Sequence, residues 1–271
     1  MQNRRSLAER GAALLGGDLL DRSVVAGGDL SEVVEITLTD GRNAIVKGGP
    51  SPATEAEMLT AMRNAGAPVP AVLAHDASAL VIELVPRGGR LDDAWPDLGL
   101  ALSSLHGAAG PRYGWHADYA FGRVAIENGW TDDWPCFWAE RRLANQAPHL
   151  PRDLAARVLA LARELPERLP SRPLPSLLHG DLWGGNILAA RGRITGLIDP
   201  ACYFGDREVD LAMLGLFNRP DERLFERYER LAPGHEKRLP IYQLWPALVH
   251  LRLFGEGYRS TVERMLAAAG V

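Results

Sequence analysis

The stretch that most constrains this chain is His179-Gly180-Asp181-Leu182-Trp183-Gly184-Gly185-Asn186. It is followed by Ile187-Leu188, a polar turn at Arg191-Gly192-Arg193, an apolar run ending at Ile198, and Asp199-Pro200. Apolar runs on either side of a polar turn read as a strand hairpin. A hairpin folds the chain back on itself, so Asn186 and Asp199 arrive at the same end of two paired strands. Taken as a bare motif, a buried Asp-Asn turn before an ordinary hairpin explains the pattern equally well. Polar residues at these intervals, bounded by apolar runs, favour a built site.

Such a site suits phosphoryl transfer from ATP. One carboxylate must accept or orient the proton of the acceptor hydroxyl. An amide oxygen and a second carboxylate must hold the magnesium ions that neutralise phosphate charge. Asp181 takes the first role, and Asn186 and Asp199 the second. Gly184 and Gly185 are expected to let the loop backbone turn tightly.

With 271 residues the chain is one large domain or two lobes sharing a cleft. A net charge of −4 without a basic block gives no basis for binding nucleic acid or an anionic membrane. Cys136 and Cys202 are too few for a disulfide framework and form no C-x-x-C pair. The first ten residues are charged and lack the apolar core of a signal peptide, and no apolar run reaches spanning length. A cytoplasmic protein, monomeric, is the expectation. The histidines show no ligand spacing, so no transition-metal site is expected.

Residues 1–85 read as a nucleotide-binding lobe. A helix over 7–15 precedes strands at 24–25, 33–38 and 44–47, joined by turns at Gly27-Gly28 and Asp40-Gly41. The Gly27-Gly28 turn is a candidate phosphate cradle, although it is not a full G-x-G-x-x-G and a plain hairpin turn explains it too. Lys47 ends the third strand, where a kinase-like fold keeps the lysine that touches phosphates. In the helix over 54–62, Glu55, Leu59 and Met62 share a face, with Glu57 well around from it, so Glu55 is the expected ion-pair partner of Lys47. Strands over 69–73 and 79–85 complete a five-stranded sheet. The linker Pro86-Arg87-Gly88-Gly89 follows, and as a hinge it would offer the Glu83 carbonyl and Val85 amide to an adenine edge.

Residues 86–271 read as a catalytic and substrate lobe. A helix over 97–105 ends at His106, expected as a helix-end cap. Four of the tryptophans fall between Trp115 and Trp138, and Trp138 is read as core, with an aromatic substrate wall the lesser alternative. A helix over 154–165 is expected to close at Pro166. Asp210 precedes an apolar run and is expected at a helix start, bracing the catalytic loop. Arg207 and Glu208 are candidate acceptor contacts. The remainder reads as packing helices, with Pro246 bending one.

Through these residues the chain resembles the fructosamine (ketosamine) kinase family. The matching stretches are His179 to Asn186, Leu197-Ile-Asp-Pro-Ala201, Gly205 to Met213, Asn128 to Trp134, Arg141 to Leu143 and Leu253-Phe-Gly255. Trp183, after Asp-Leu in the loop, is the most specific of them. The resemblance implies an α+β, bilobal, protein-kinase-like fold, with a small antiparallel-sheet lobe carrying one main helix and a larger, mostly helical lobe. It implies ATP- and Mg2+-dependent phosphorylation of a sugar hydroxyl on a ketosamine, an amine or protein lysine carrying a rearranged sugar. The product is less stable, which implies deglycation repair. It also implies Asp181 as base, Asn186 and Asp199 as metal ligands, and Lys47 with Glu55 at the phosphates. Trp183, two residues after Asp181, is a candidate wall on the acceptor side, with a hydrophobic plug between the loop and the large lobe the alternative. Other readings remain open: an aminoglycoside, choline or homoserine kinase of the same fold, with Asp132, Asp133, Asp206 and Glu208 available for an acidic acceptor cleft; or a nucleotide-binding pseudokinase or scaffold, although no base or metal ligand is lost.

Overall fold

The computed structural model describes residues 6–25 and 32–271, so the Gly27-Gly28 turn lies outside the described residues. Helix α1 (Leu7–Leu14) starts at a reciprocal cap, in which Ser6 Oγ accepts the Glu9 amide at 3.3 Å and the Glu9 carboxylate accepts the Ser6 amide at 2.7 Å. Strands β1 (Leu19–Val24), β2 (Val33–Leu38) and β3 (Asn43–Gly48) follow, then α2 (Pro52–Asn64), β4 (Val72–His75) and β5 (Ala79–Glu83). They form the five-stranded antiparallel sheet expected, in the order β1-β2-β3-β5-β4. Strand β4 starts later than the apolar run at 69–73 predicts, because Pro70 has no amide to give a ladder.

The central strands are buried on both faces, as their unbroken apolar runs require. One face covers Ala8 and Ala12 of α1 with Val34, Ile36, Val46 and Val81. On the other, Ile45, Leu80 and Ile82 meet Met58, Leu59 and Met62 of α2. This second cluster runs without a break into the helical part of the chain, so the division at residue 85 separates elements and not cores. The linker is also tied down: the Gly89 amide donates to the Ala189 carbonyl at 2.8 Å, and Thr195 Oγ1 donates to the Pro86 carbonyl at 2.6 Å. A Cβ on Gly89 would meet the Ala189 and Ala190 backbone at 2.8–2.9 Å, so only glycine allows this approach.

The larger part holds α3 (Trp95–Gly107), the hairpin β6 (Tyr119–Phe121) and β7 (Val124–Ile126), α4 (Trp134–Trp138) and α5 (Arg152–Arg168). Then come β8 (Ser176–Leu178), the hairpin β9 (Ile187–Ala190) and β10 (Arg193–Leu197), β11 (Tyr203–Gly205), α6 (Glu208–Phe217), α7 (His235–Phe254) and α8 (Arg259–Ala268). Helix α5 does not stop at Pro166 but carries it in its last turns. Strand β11 pairs with β8, which returns the chain after Asp199 to the strand that precedes His179. Among the described residues no helix is long and apolar enough to cross a membrane.

The tryptophan-rich segment is core. Trp134 and Trp138 are fully buried, and Trp138 packs against Trp134, Tyr242 and Trp245. Inside this cluster Arg142 is buried with no carboxylate beside it. Its guanidinium donates to the Glu127 carbonyl at 2.6 Å and Asn128 Oδ1 at 2.7 Å, and it lies over Phe137, Tyr203 and Trp245. Trp183, by contrast, is 41% exposed. Truncating Trp138 to alanine should therefore cost about 3–5 kcal/mol of stability, and truncating Trp183 about 1 kcal/mol or less. Urea unfolding of the two variants measures this; equal losses would contradict the placement of either ring.

Candidate functional site

The catalytic loop takes its shape from polar groups that the fold brings in from afar. Asp210, the third residue of α6, accepts the main-chain amides of His179 at 2.7 Å and Gly180 at 2.9 Å. It braces the loop from inside its helix, and the first turn of α6 has no side-chain cap. The same carboxylate accepts His106 Nε2 at 3.0 Å, and His106 Nδ1 meets the Tyr228 hydroxyl at 2.7 Å. His106 is thus a buried support for Asp210 and not a helix-end cap. His179 Nε2 donates to the Ile198 carbonyl at 3.0 Å, which leaves Nδ1 to accept the Asp181 amide at 3.2 Å. Burial holds this imidazole below its ordinary pKa, and so neutral.

The loop also presses on the segment after Asp199. Ala201 donates its amide to the His179 carbonyl at 2.8 Å, and a Cβ on Gly180, which sits at φ +79°, would meet the Ala201 oxygen at 2.1 Å. Gly184 and Gly185 have a different reason from the tight turn expected of them. The Asn218 side chain accepts the Gly184 amide at 2.8 Å and fills the space of its missing Cβ, and the Trp183 indole lies over Gly185. Asp199 itself has φ +56°, an uncommon conformation for a residue with a side chain and one concentrated at functional sites.

Around this loop the structure brings Lys47, Glu55, Asp181, Asn186 and Asp199 into one cleft of about 610 Å³. The Lys47 ammonium bridges the carboxylates of Glu55 and Asp199. Glu55 lies in the first turn of α2, whereas Glu57 points elsewhere and meets His116 at 2.9 Å. Burial works against the lysine's charge, but the two carboxylates outweigh it and hold its pKa above the ordinary value. Asn186 donates its Nδ2 to the Asp181 carbonyl at 2.9 Å and to Asp181 Oδ2 at 2.8 Å. Its own carbonyl accepts the Ile198 amide at 3.0 Å, and that bond brings Asn186 and Asp199 to one end of the β9–β10 hairpin. Burial pushes the Asp181 carboxyl up to about 7; the Asn186 bond opposes this, and the charges of Asp199 and Asp210 add to it.

Asp199 and Asn186 present oxygen donors, the ligand type a magnesium ion prefers. With both Asn186 amide protons directed to Asp181, its Oδ1 is left for a cation. Among the described residues no group of three or more His, Cys, Asp or Glu could hold a metal alone. A cation here would complete its shell with phosphate oxygens and water, as is usual for magnesium at nucleotides.

Four expected residues fall outside the cleft. Glu83 and Val85 line a separate recess of about 380 Å³ with Arg63, Pro68 and Thr195, and the Glu83 amide is taken by the Ala71 carbonyl at 2.9 Å. Arg207 is turned to Glu229, to the Arg230 carbonyl at 3.0 Å and over the Tyr228 ring. Glu208 is buried and accepts Arg238 Nη2 and Nε at 2.6 and 2.8 Å. Each of the last two already has an ion partner that pulls it away from the cleft. The other acidic candidates are spent likewise. Asp206 accepts the Tyr242 hydroxyl at 2.8 Å, Asp132 pairs with Arg112 at 2.8 Å, and Asp133 caps α4 through the Cys136 amide at 2.7 Å.

The rest of the lining is largely aromatic: Tyr119, close to Glu55, Asp181 and Asp199, and Phe121 from the β6–β7 hairpin, then Trp183, Phe217 closing α6, and Trp245, His250 and Phe254 of α7. Of these residues only Trp183 is a site candidate by sequence. One signal was present, since His250, Phe254 and Tyr258 recur at intervals of four along a helical stretch.

The two-lobed fold also occurs in antibiotic kinases. An aminoglycoside phosphotransferase in ternary complex with AMP-PNP and hygromycin B superposes with a TM-score of 0.71 at 18% identity, covering 98% of this chain and all of that one. The fold is therefore that of the protein-kinase-like phosphotransferases. Within it, this chain belongs to the fructosamine kinase family, whose model matches residues 17–269. A Synechocystis protein named probable ketoamine kinase is 37% identical over 213 residues, covering 73% of this chain and 71% of that one. A solved structure from Thermobifida fusca, provisionally named fructosamine-3-kinase, superposes with a TM-score of 0.88 at 31% identity, covering 97% of this chain and 98% of that one.

The brace at Asp210 yields a test. Burial raises its pKa, but its bonds to His106 and the Gly180 amide, with His179 nearby, more than reverse this and leave it below the usual carboxylate range. A depressed folded pKa gives stability that is present above the unfolded value of about 4 and lost as pH falls through the folded one. Asp210→Asn should thus cost about 3–5 kcal/mol at pH 7, and the gap to wild type should narrow below about pH 4. Denaturant unfolding across pH checks this; a gap independent of pH would contradict it.

Proposed function

We propose that this chain transfers the γ-phosphoryl group of ATP to a hydroxyl on the sugar part of a ketosamine, with Mg2+ as cofactor. One observation carries this: the cleft joins an end with Lys47, Asp181, Asn186 and Asp199 to an aromatic end, and its lining carboxylates, Glu55, Asp181 and Asp199, all belong to the first. A polycationic aminoglycoside would call for acidic groups at the acceptor end. Asp132, Asp133, Asp206 and Glu208, available for that by sequence, are engaged elsewhere. A scaffold without chemistry is disfavoured because base and ligand residues are all present.

In the mechanism, Asp181 is the base. Asn186 holds one of its oxygens, which leaves the other to accept the acceptor hydroxyl's proton as the hydroxyl oxygen bonds to phosphorus and the bond from phosphorus to ADP breaks. A carboxyl near neutrality is well matched to taking a proton at physiological pH. Lys47, kept charged by Glu55, counters charge on the nucleotide phosphates. Asp199 and Asn186 would hold the magnesium, which supplies charge neutralisation at the phosphates. The acceptor is a small ketosamine or a glycated lysine on a protein, and phosphorylation destabilises the adduct, so the role is repair of glycation in the cytoplasm.

The purified protein should consume ATP with a fructosamine or ribulosamine and leave aminoglycosides, choline and free sugars nearly untouched. Faster turnover of an aminoglycoside than of any ketosamine in a coupled ADP assay would refute the proposal. Asp181→Asn should keep the fold and nucleotide binding but lower kcat by ~10²–10⁴-fold; near-normal kcat in the folded variant removes Asp181 from its role. Asp199→Ala should weaken magnesium-dependent ATP binding more than Asn186→Ala, because a carboxylate carries full charge to a hard cation and an amide oxygen only a dipole. Calorimetric titration of nucleotide at several magnesium concentrations measures both, and equal or reversed losses would contradict the ligand assignment.

A further inference from the structure

Beyond the catalytic residues the cleft continues as a connected run of rings. The Trp183 ring meets Phe217 edge-on with centroids 6.3 Å apart, Phe217 packs against His250 at 4.6 Å, and His250 against Phe254 at 5.4 Å and Tyr258 at 5.0 Å. All five line the same cavity as Asp181. Trp183 stands two residues from Asp181 and is 41% exposed, while Phe254, at the other end of the run, is 47% exposed. Large aromatic faces left open to water within a concave site point to an apolar occupant. Trp183 brings an indole N–H to this run, Tyr258 a hydroxyl, and His250 two ring nitrogens. His250 donates Nδ1–H to the Pro246 carbonyl at 2.8 Å, so Nε2 carries a lone pair, and no partner for it occurs among the described residues. Burial also holds this imidazole below its ordinary pKa. The trough thus presents no cation to an approaching ammonium and no cation to attract a carboxylate.

We infer that this aromatic run is the subsite for the substituent on the ketosamine's nitrogen, and that it selects adducts of amines with an apolar or aromatic substituent over adducts with an acidic one. The inference rests on the proposed function and adds to it the class of amine. The sugar hydroxyl lies at Asp181, and the substituent runs from Trp183 toward Phe254 and Tyr258. The secondary ammonium between them is served by the aromatic faces and by the His250 Nε2 lone pair. A carboxylate on the substituent would have to leave water with no cation in the run to pair with, only the neutral donors of Trp183 and Tyr258.

The test uses the full chain with ATP and Mg2+ and three fructosamines sharing one sugar: the benzylamine, butylamine and glycine adducts. Steady-state kcat/KM should be highest for the benzylamine adduct and lowest for the glycine adduct, with about 5- to 30-fold between them. Most of that difference should lie in KM, since substituent binding is made equally in ground and transition states. Equal or reversed values overturn the inference while leaving ketosamine phosphorylation standing. No turnover of any of the three, with turnover of another sugar alcohol, refutes the proposed function itself. Phe254→Leu keeps an apolar side chain and removes the π-face, so it should compress the benzyl-to-butyl ratio of kcat/KM toward one. An unchanged ratio in the folded variant removes the aromatic run from substituent recognition. Because the wild-type series stands alone, a variant that fails to fold does not shield the inference.

Discussion

The structure depends on one buried carboxylate. Asp210 accepts two consecutive main-chain amides of the catalytic loop and His106 from α3, so three separate stretches of chain share one ion. A charge taken out of water is tolerated only where donors replace the lost hydration. Here the donors are the backbone of the loop, and the loop conformation is the means by which the charge is satisfied. His179, neutral and pinned between the Ile198 carbonyl and the Asp181 amide, transmits that order to the hairpin end at Asp199. Asp181, Asn186 and Asp199 therefore stand on a rigid frame rather than on a free loop.

The rest of the cleft divides by polarity. At one end Lys47, between Glu55 and Asp199, concentrates charge where phosphates would lie. Beyond them the lining is mainly aromatic, while Glu208 and Asp132, outside the cleft, are held in pairs with Arg238 and Arg112. The aromatic lining comes from α6, α7, the β6–β7 hairpin and, through Trp183, the catalytic loop itself. The aromatic end and the buried cluster around Trp138 meet at Trp245, which stacks in the core and also lines the cleft.

Local pattern was enough for much of this. The polar spacing from His179 to Asn186, the hairpin and Asp199 pointed to phosphoryl transfer, because catalytic loops are short and carry their chemistry in contiguous residues. The sheet was readable for the same reason: apolar runs of strand length separated by glycine turns leave few alternatives. Glu55 rather than Glu57 faced Lys47 because helical periodicity assigns faces before any packing is known.

Tertiary structure decided what depended on partners distant in sequence. His106 looked like a helix end and became a support for Asp210, since its partners stand at positions 210 and 228. Arg207 and Glu208 looked free to meet an acceptor, but Glu229 and Arg238, contributed by later segments, claim them. Glu83 and Val85 lie on a different recess from Lys47, a matter of how the linker settles on the β9–β10 hairpin. The aromatic end is the clearest case. Its rings are scattered from Tyr119 to Tyr258, and apart from Trp183 each alone reads as core, because a hydrophobic side chain carries no mark in sequence of whether its open face meets protein or a cavity. The sequence by itself determined the reaction chemistry and the sheet; only the assembled tertiary structure decided which rings line the cleft beside Asp181.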